Sequence, residues 1–376
     1  MSRADDHRFM ARAIRLAEKG LYTTHPNPRV GCVLVRNGEI VGEGWHLRAG
    51  GPHAERNALA AAAERTRGAT VYVSLEPCCH HGRTPPCTDG LIEAGVARVV
   101  AAMRDPNPLV AGKGLGLLEQ AGIEVESGLL EARAAELNPG FVQRMEWGLP
   151  YVRCKLAMSL DGRTAMASGE SKWITSEAAR RDVQRLRARS EAIVTGIGTV
   201  LADDPSLNVR VGAGELPGVQ GEEEIIQPVR AVLDSRLRMP AEARMLGLPG
   251  QTLVLCVDQD PAHAARLEGA GAQVYEAPES GGRVDLEAAF RYLAEQEINE
   301  VLLETGPTLA GSALHAGLVD ELVIYMAPHL MGDMARGLFS LPALRHMHER
   351  IEMEIADIRA VGRDWRITAR PLGSRR

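Results

Sequence analysis

Val71-Tyr72-Val73-Ser74-Leu75-Glu76-Pro77-Cys78 is the stretch that decides the fold. A short apolar run bounded by a turn signal reads as a buried strand, and this one carries a cysteine just past its end. Upstream, the alanine-rich stretch from Ala54 to Thr66 predicts a helix, with His53 at its start and Glu55 in its first turn. Downstream, Pro86-Cys87 opens another, since proline in the first helical position forfeits no hydrogen bond. Further out, Val30 to Val35, Asn37-Gly38 and Ile40-Val41 read as a hairpin, because Asn-Gly tolerates the positive φ angles of a tight primed turn. Phe9, Ile14 and Leu16 mark a first helix ending near Gly20; a strand over Val96–Ala102 and a helix over Gly112–Ala121 follow. Strands separated by helices of this length predict a mostly parallel sheet covered on both faces.

The same stretch supplies a metal set. One imidazole (His53) and two thiolates (Cys78, Cys87) are a common three-ligand set for zinc, leaving a fourth position for water. Two ligands fall at predicted helix starts, where the partial positive charge favours a thiolate. Glu55 is read as a catalytic proton carrier, not a ligand, because residues two apart on a helix do not share a face. Two thiolates cancel the charge of Zn²⁺, so the bound water needs a carboxylate base, the division of labour known for zinc deaminases. The spacing departs from the usual Pro-Cys-x-x-Cys of that class, since Cys79, His80 and His81 intervene. A closed structural site with Cys79 or His80 as fourth ligand is the competing reading.

Composition narrows the partners. The chain of 376 residues fits two domains; 45% hydrophobic and 24% charged residues are the balance of a globular protein. A net charge of −6 and only 4% aromatic residues speak against a nucleic-acid binder and for a small substrate. Met1 to Ala11 is charged and no signal peptide, and no apolar run approaches the roughly 20 residues of a membrane span. A cytoplasmic protein without disulfides is expected, in which Cys32, Cys154 and Cys256 are small core residues.

The pattern breaks around Asn138-Pro139-Gly140 and Gly148-Leu149-Pro150, which divides the chain into domains 1–147 and 148–376. The second part alternates again, with strands near Tyr151–Met158, Ala192–Thr195, Val229–Leu233, Leu253–Val257, Val301–Glu304 and Leu322–Met326. Gly212 to Gln227, rich in glycine and glutamate, reads as a mobile surface loop. Gly196-x-Gly198 lacks the third glycine of a dinucleotide fingerprint. Gly306-Pro307-Thr308 carries more weight, because a strand, a glycine turn and a helix start offer free N–H groups to a pyrophosphate.

Many motifs now agree in order: His25-Pro26-Asn27-Pro28, His53-Ala54-Glu55, Leu75-Glu76-Pro77-Cys78, His81-Gly82-Arg83-Thr84-Pro85-Pro86-Cys87 and Arg104-Asp105-Pro106-Asn107-Pro108. In the second half Ser159-Leu160-Asp161-Gly162-Arg163, Trp173-Ile174-Thr175, Asp203-Asp204-Pro205 and Glu304 to Gly311 continue them. Together they resemble the bifunctional deaminase/reductase family of riboflavin biosynthesis, in which the longer Cys-to-Cys spacing is normal. The resemblance implies an α/β chain of two three-layer α/β/α domains, the first cytidine-deaminase-like and the second dihydrofolate-reductase-like. It implies hydrolytic removal of the 2-amino group of a diamino-ribosylamino-pyrimidinone 5′-phosphate, then NADPH-dependent reduction of ribosyl to ribityl, in a homodimer.

The resemblance also carries residue roles. Asn27 and His46 match positions near the pyrimidine, although a loop hydrogen bond without substrate contact would explain either. Ala157, Trp173, Thr199, Asp203, Ser235 and the run Gly306, Pro307, Thr308, Leu309, Ala310, Gly311 and Ser312 fall at NADPH positions. Ser171, Arg187, Leu207, Arg210 and Glu304 fall at substrate positions, and guanidinium suits phosphate bidentately at Arg187 and Arg210. Lys155 and Asp203 are the candidate proton donors, and Asp161-Gly162 is read as a turn. The residues do not separate NADPH from NADH; Arg236 and Arg238 are candidates to meet a 2′-phosphate. Two rivals stay open, a polynucleotide deaminase and a zinc-stabilised binding module without chemistry.

Overall fold

The computed structural model describes residues 2–80, 85–108, 110–258 and 260–373. Two compact units emerge, one of Met1–Gly148 with Gly212–Ile226 and one of Leu149–Val211 with Gln227–Arg376. The stretch read as a mobile loop belongs to the first unit: Ala213 and Leu216 are buried, and Arg48 pairs with Glu224 at 2.5 Å.

The first unit contains strands β1 (Gly31–Arg36), β2 (Glu39–Trp45), β3 (Thr70–Val73), β4 (Arg98–Ala101) and β5 (Glu124–Ser127), in the order β2-β1-β3-β4-β5. Asn37 and Gly38 take φ of 52° and 81°, so the β1–β2 hairpin forms on the turn read from sequence. The sheet is mixed, not mostly parallel. β2 runs antiparallel to β1, and a helix crossover returns β3 in the direction of β2, which leaves β3 antiparallel to β1. Only β3–β4 and β4–β5 are parallel.

Alternate β1 residues serve two cores. Cys32 and Leu34 pack with Ala54, Ala58, Leu91 and Leu118 of the helices Ala54–Ala62, Cys87–Glu93 and Lys113–Gln120. Val33 and Val35 pack with Phe9, Met10, Ala134 and Phe141 on the opposite face. Helix Ala54–Ala62 lies unusually close to β2. A Cβ on Gly42 would stand 2.3 Å from Ala58 O, and one on Gly44 2.4 Å from Ala58 N. Pro139, read as part of a break, instead starts a helix Pro139–Trp147 that ends at Gly148 with φ 65°; proline first and left-handed glycine last are ordinary helix punctuation.

In the second unit, β6 (Tyr151–Ser159), the short β7 (Arg163–Ala165), β8 (Ala192–Gly196), β9 (Val229–Leu233), β10 (Thr252–Cys256) and β11 (Ala272–Glu276) come first. They are followed by a hairpin of β12 (Glu279–Ser280) and β13 (Arg283–Val284), then β14 (Glu300–Glu304), β15 (Glu321–Ala327), the short β16 (Arg336–Gly337), β17 (Met353–Val361) and β18 (Asp364–Pro371). Nine of these form one sheet in the order β11-β10-β9-β8-β14-β6-β15-β18-β17. It is parallel from β11 to β15 and ends in the antiparallel β15–β18–β17 edge. Helices Leu286–Glu295 and Pro307–His315 cover one face, and Glu177–Arg189 and Pro261–Gly269 the other. No helix among the described residues is long and apolar enough to cross a membrane.

Candidate active sites

The fold brings His53, Cys78 and Cys87 together, with their donor atoms within 4.8 Å of one another. His53 is the N-cap of its helix and Cys87 the first residue of its own, with Pro86 one step earlier as N-cap, not as the first helical residue. His53 Nδ1 lies 3.5 Å from Cys78 Sγ and 3.3 Å from Cys87 Sγ. A tetrahedral zinc with Zn–N of about 2.0 Å and Zn–S of about 2.3 Å would separate its nitrogen and sulfur ligands by about 3.5 Å. The donor set therefore fits zinc in both chemistry and spacing. Among the described residues, neither Cys79 nor His80 joins it; His81 to Thr84, part of a quoted motif, lie outside the described residues.

Glu55 is buried beside these donors. Burial first, and the charge at Cys78 second, push its carboxyl up to about 7. Cys78 is drawn down to about 4, chiefly because Cys87 donates to it and also because His53 does. The Cys87 thiol is pushed up by sharing that proton and by burial.

His46 is already committed on both ring nitrogens. Nδ1 lies 3.1 Å from Pro52 O, a pure acceptor, so it carries the proton; Nε2 then accepts from Asn27 Nδ2 at 3.0 Å. Burial lowers its pKa and keeps the ring neutral. The His46 ring also meets His53 edge-on, with centroids 5.2 Å apart.

Glu76 holds the cysteine loop from behind, a role the sequence reading did not assign. Its buried carboxylate accepts from the backbone N–H of Asp105, Gly112, Gly114 and Leu115 at 2.9–3.3 Å. Its only sequence signal is a lone carboxylate closing an apolar strand.

In the second unit a cleft of about 1610 Å³ opens at the carboxyl ends of the parallel strands, where open α/β sheets bind ligands. That exceeds the usual volume for one small ligand and accommodates a dinucleotide beside a second molecule. Lys155 and Ala157 face it from β6; Ser171 and Trp173 from the following loop; Thr199 and Asp203 from the helix Ile197–Asp203. Leu207, Arg210, Ser235, Glu304, Gly306 to Leu309 and Ser312 complete the predicted wall. Ala310 and Gly311 do not line it. Ala310 is fully buried in the core, and a Cβ on Gly311 would stand 2.2 Å from Ser340 O. A helix turns each residue by about 100°, so a continuous run cannot present every member to one side.

Arg187 lines the cleft with its guanidinium already engaged. Nε and Nη2 donate to Glu304 at 2.6 and 3.0 Å, and Nη1 to Asn208 O at 3.0 Å. Its fork is spent on a carboxylate, whereas Arg210 uses Nη1 alone, toward Asn208 Oδ1 at 2.9 Å. Burial lowers the Lys155 pKa, against the opposing pull of Glu304. Asp203 pairs with Lys172 at 3.2 Å.

The two halves of the chain match separate family models. Residues 3–103 match the cytidine and deoxycytidylate deaminase zinc-binding region, and residues 150–367 the RibD C-terminal domain. The riboflavin biosynthesis protein RibD of Escherichia coli K12 is 53% identical over 361 residues, 96% of this chain and 97% of that protein. Among solved structures, RibD of Acinetobacter baumannii superposes with a TM-score of 0.90 at 46% identity, covering 98% of this chain and 99% of that one. The diaminohydroxyphosphoribosylaminopyrimidine deaminase/5-amino-6-(5-phosphoribosylamino)uracil reductase of Thermotoga maritima gives a TM-score of 0.84 at 33% identity, with 98% and 99% coverage. A zinc-type donor set in one α/β unit and a dinucleotide-sized cleft in the other are thus the two halves of one known arrangement, and the chain belongs to the RibD family of riboflavin-biosynthesis proteins.

Proposed function

We propose that the first unit hydrolytically deaminates 2,5-diamino-6-(ribosylamino)pyrimidin-4-one 5′-phosphate and that the second reduces the ribosyl side chain of the product to ribityl. The observation that carries the first step is the three-donor cluster with buried Glu55 beside it and outside it. His53, Cys78 and Cys87 would hold zinc, which would supply the Lewis acidity that activates a water. Glu55 takes one proton from that water and gives it to the ring nitrogen as the oxygen bonds to the carbon bearing the amine; it then carries the second proton from that oxygen to the amine, whose bond to the carbon breaks as ammonia leaves. His46 fixes Asn27 through the Nδ2 hydrogen bond, which leaves the amide oxygen of Asn27 to accept from the pyrimidine.

Ala157, Trp173, Thr199, Asp203, Ser235, Gly306 to Leu309 and Ser312 would hold NADPH, which would supply a hydride to C1′ of the ring-opened, imine form of the ribosylamine. Arg210 takes the substrate phosphate beside Ser171 and Leu207, and Arg187 acts through Glu304, which it holds. Lys155 delivers the proton to the amine nitrogen; it is enclosed, while Asp203 is half-exposed and paired with Lys172. A homodimer in the cytoplasm completes the reading, and sedimentation at working concentration tests the dimer.

The test is incubation of the protein with the diaminopyrimidine phosphate, with and without NADPH, following ammonia and cofactor absorbance separately. Glu55→Gln should retain zinc, lose ammonia release and still oxidise NADPH on the deaminated substrate. Undiminished ammonia release in that variant removes Glu55 from the mechanism.

A further inference from the structure

The Asp161-Gly162 turn that follows β6 has no part in either step above, yet its carboxylate is spent on a distant part of the chain. The turn closes without that carboxylate. Gly162 N–H donates to Ser159 O at 3.0 Å, and Arg163 N–H to Ser159 Oγ at 3.0 Å. One hydrogen bond to Asp161 is local, from the Ser159 hydroxyl. The others come from the segment after β15. Gly332 N–H donates to Asp161 Oδ2 at 2.8 Å, and Met331 N–H is shared between the two oxygens at 3.1 and 3.2 Å. Beside this contact Leu160 N–H donates to His329 O at 2.8 Å. The Ser159 hydroxyl first, and the two N–H groups with it, hold the Asp161 carboxyl down to about 2.

The crossing continues toward the cleft. Arg163 Nη1 donates to Ala335 O at 3.3 Å and Thr164 Oγ1 to Gly337 O at 3.3 Å, and β7 runs antiparallel to β16 with Ala165 opposite Arg336. Thr164, Ala165 and Arg336 line the cleft from this pair, and the chain leaving β7 brings Ser171 and Trp173 to it. Apolar packing does little to hold this wall. Only Ala165 is buried between residues 160 and 175, and only Ala335 between 328 and 337. A segment with so few buried contacts opens easily, so its position depends on its hydrogen bonds. Those to an ionised carboxylate are the stronger ones. Asp161 itself does not line the cleft.

We infer that Asp161 is a positioning residue of the reductase: it clasps the turn between β6 and β7 to the segment after β15, and so sets the wall that carries Ser171 and Trp173. The inference rests on the reductase reading above. Lys155 and Glu304 belong to β6 and β14 themselves and keep their places without the clasp. Its loss therefore acts on binding and spares the chemical step.

The test compares the full-length protein with Asp161→Asn and Asp161→Ala in steady-state reduction of the deaminated substrate, varying NADPH and substrate in turn. Hydrogen exchange and ammonia release are read on the same preparations. Asp161→Ala should raise KM for NADPH and for substrate about tenfold, the order of one charge-assisted hydrogen bond, with kcat held within about twofold. Asp161→Asn, which keeps one acceptor oxygen for the two N–H groups, should fall between. Exchange should quicken in residues 159–175 and 328–337 alone, with ammonia release unchanged. Unchanged KM values in a variant whose two segments exchange faster would show that the clasp has no hold on the wall. A fall in kcat at constant KM would place Asp161 in the chemical step, and exchange quickened throughout the second unit would make it a general support of the fold. Each of these overturns the inference while the reductase reading stands. An unsubstituted protein that does not oxidise NADPH on this substrate overturns the reductase reading, and the inference with it.

Discussion

Glu304, which ends β14, receives Nε and Nη2 of Arg187 at 2.6 and 3.0 Å and stands in register with Lys155 on the neighbouring β6. Its charge opposes the desolvation that lowers the Lys155 pKa. Removing that charge in Glu304→Gln lets the Lys155 pKa fall further, so the protonated donor disappears at lower pH. The alkaline limb of the reduction rate should therefore move to lower pH, while the deamination profile stays where it was. Arg187 is left buried without its carboxylate, a loss of about 3–5 kcal/mol that urea denaturation reads in the same samples. An unmoved alkaline limb in a folded variant removes Lys155 as the donor.

Metal removal should separate the two activities. The donors of His53, Cys78 and Cys87 lie within one cluster, and the reductase cleft contains none of them. Chelation is expected to stop ammonia release and leave NADPH oxidation on the deaminated substrate, and added zinc should restore the first. Cys87→Ser should lower bound zinc well below one ion per chain, read by elemental analysis. Persistent deamination in chelated, zinc-free protein would exclude the cluster as the reactive centre.

The ligands were legible because each sits at a junction that local sequence marks: an N-cap at His53, a strand end before Cys78, a first helical turn at Cys87. What was not legible is long-range. The four amides that Glu76 binds come from Asp105 to Leu115, remote along the chain. β17 hid for another reason. A register shift between Ile355 and Asp357 moves the apolar positions of β17 out of phase, so no alternation of period two survives. Gly212–Ile226 looks like a loop by composition and is one, but its attachment to the first unit shows in the Arg48–Glu224 ion pair. No local pattern encodes that.

The glycines of β2 should control the position of the catalytic helix. A Cβ on Gly44 would meet Ala58 N at 2.4 Å and Ala54 O at 2.5 Å, both backbone atoms of the helix that His53 caps and Glu55 belongs to. Gly44→Ala must push this helix off the sheet. Overpacking of this kind costs about 1–3 kcal/mol, and the His53 donor moves with the helix. Zinc affinity and ammonia release should fall together, with NADPH oxidation unchanged. A variant that binds zinc as tightly as the original chain would show that the close approach does not set the ligand geometry.

Asp105 should make the stability fall as pH rises through the mildly acidic range. It is buried and close to Glu76, and burial pushes its carboxyl up to about 6 from the ordinary 3.8, with the charge of Glu76 adding to the effect. The folded state thus holds this proton more tightly than the unfolded chain. Below about 4 both states are protonated and the group is neutral in its effect. Between about 4 and 6 the unfolded chain ionises first and gains, so folding loses stability; above about 6 the loss is complete. A shift of this size corresponds to about 3 kcal/mol. Asp105→Asn keeps an oxygen for the N–H of Asn107, which donates to Asp105 Oδ1 at 2.8 Å, and removes the charge. The variant should therefore match the original chain in urea denaturation near pH 4 and exceed it increasingly up to pH 6, with a constant advantage beyond. Comparison of the two proteins at each pH cancels the loss of zinc in acid. An original chain more stable than Asp105→Asn at pH 7 would mean that the carboxylate is welcomed in the fold, through a partner that outweighs both its burial and the neighbouring charge of Glu76.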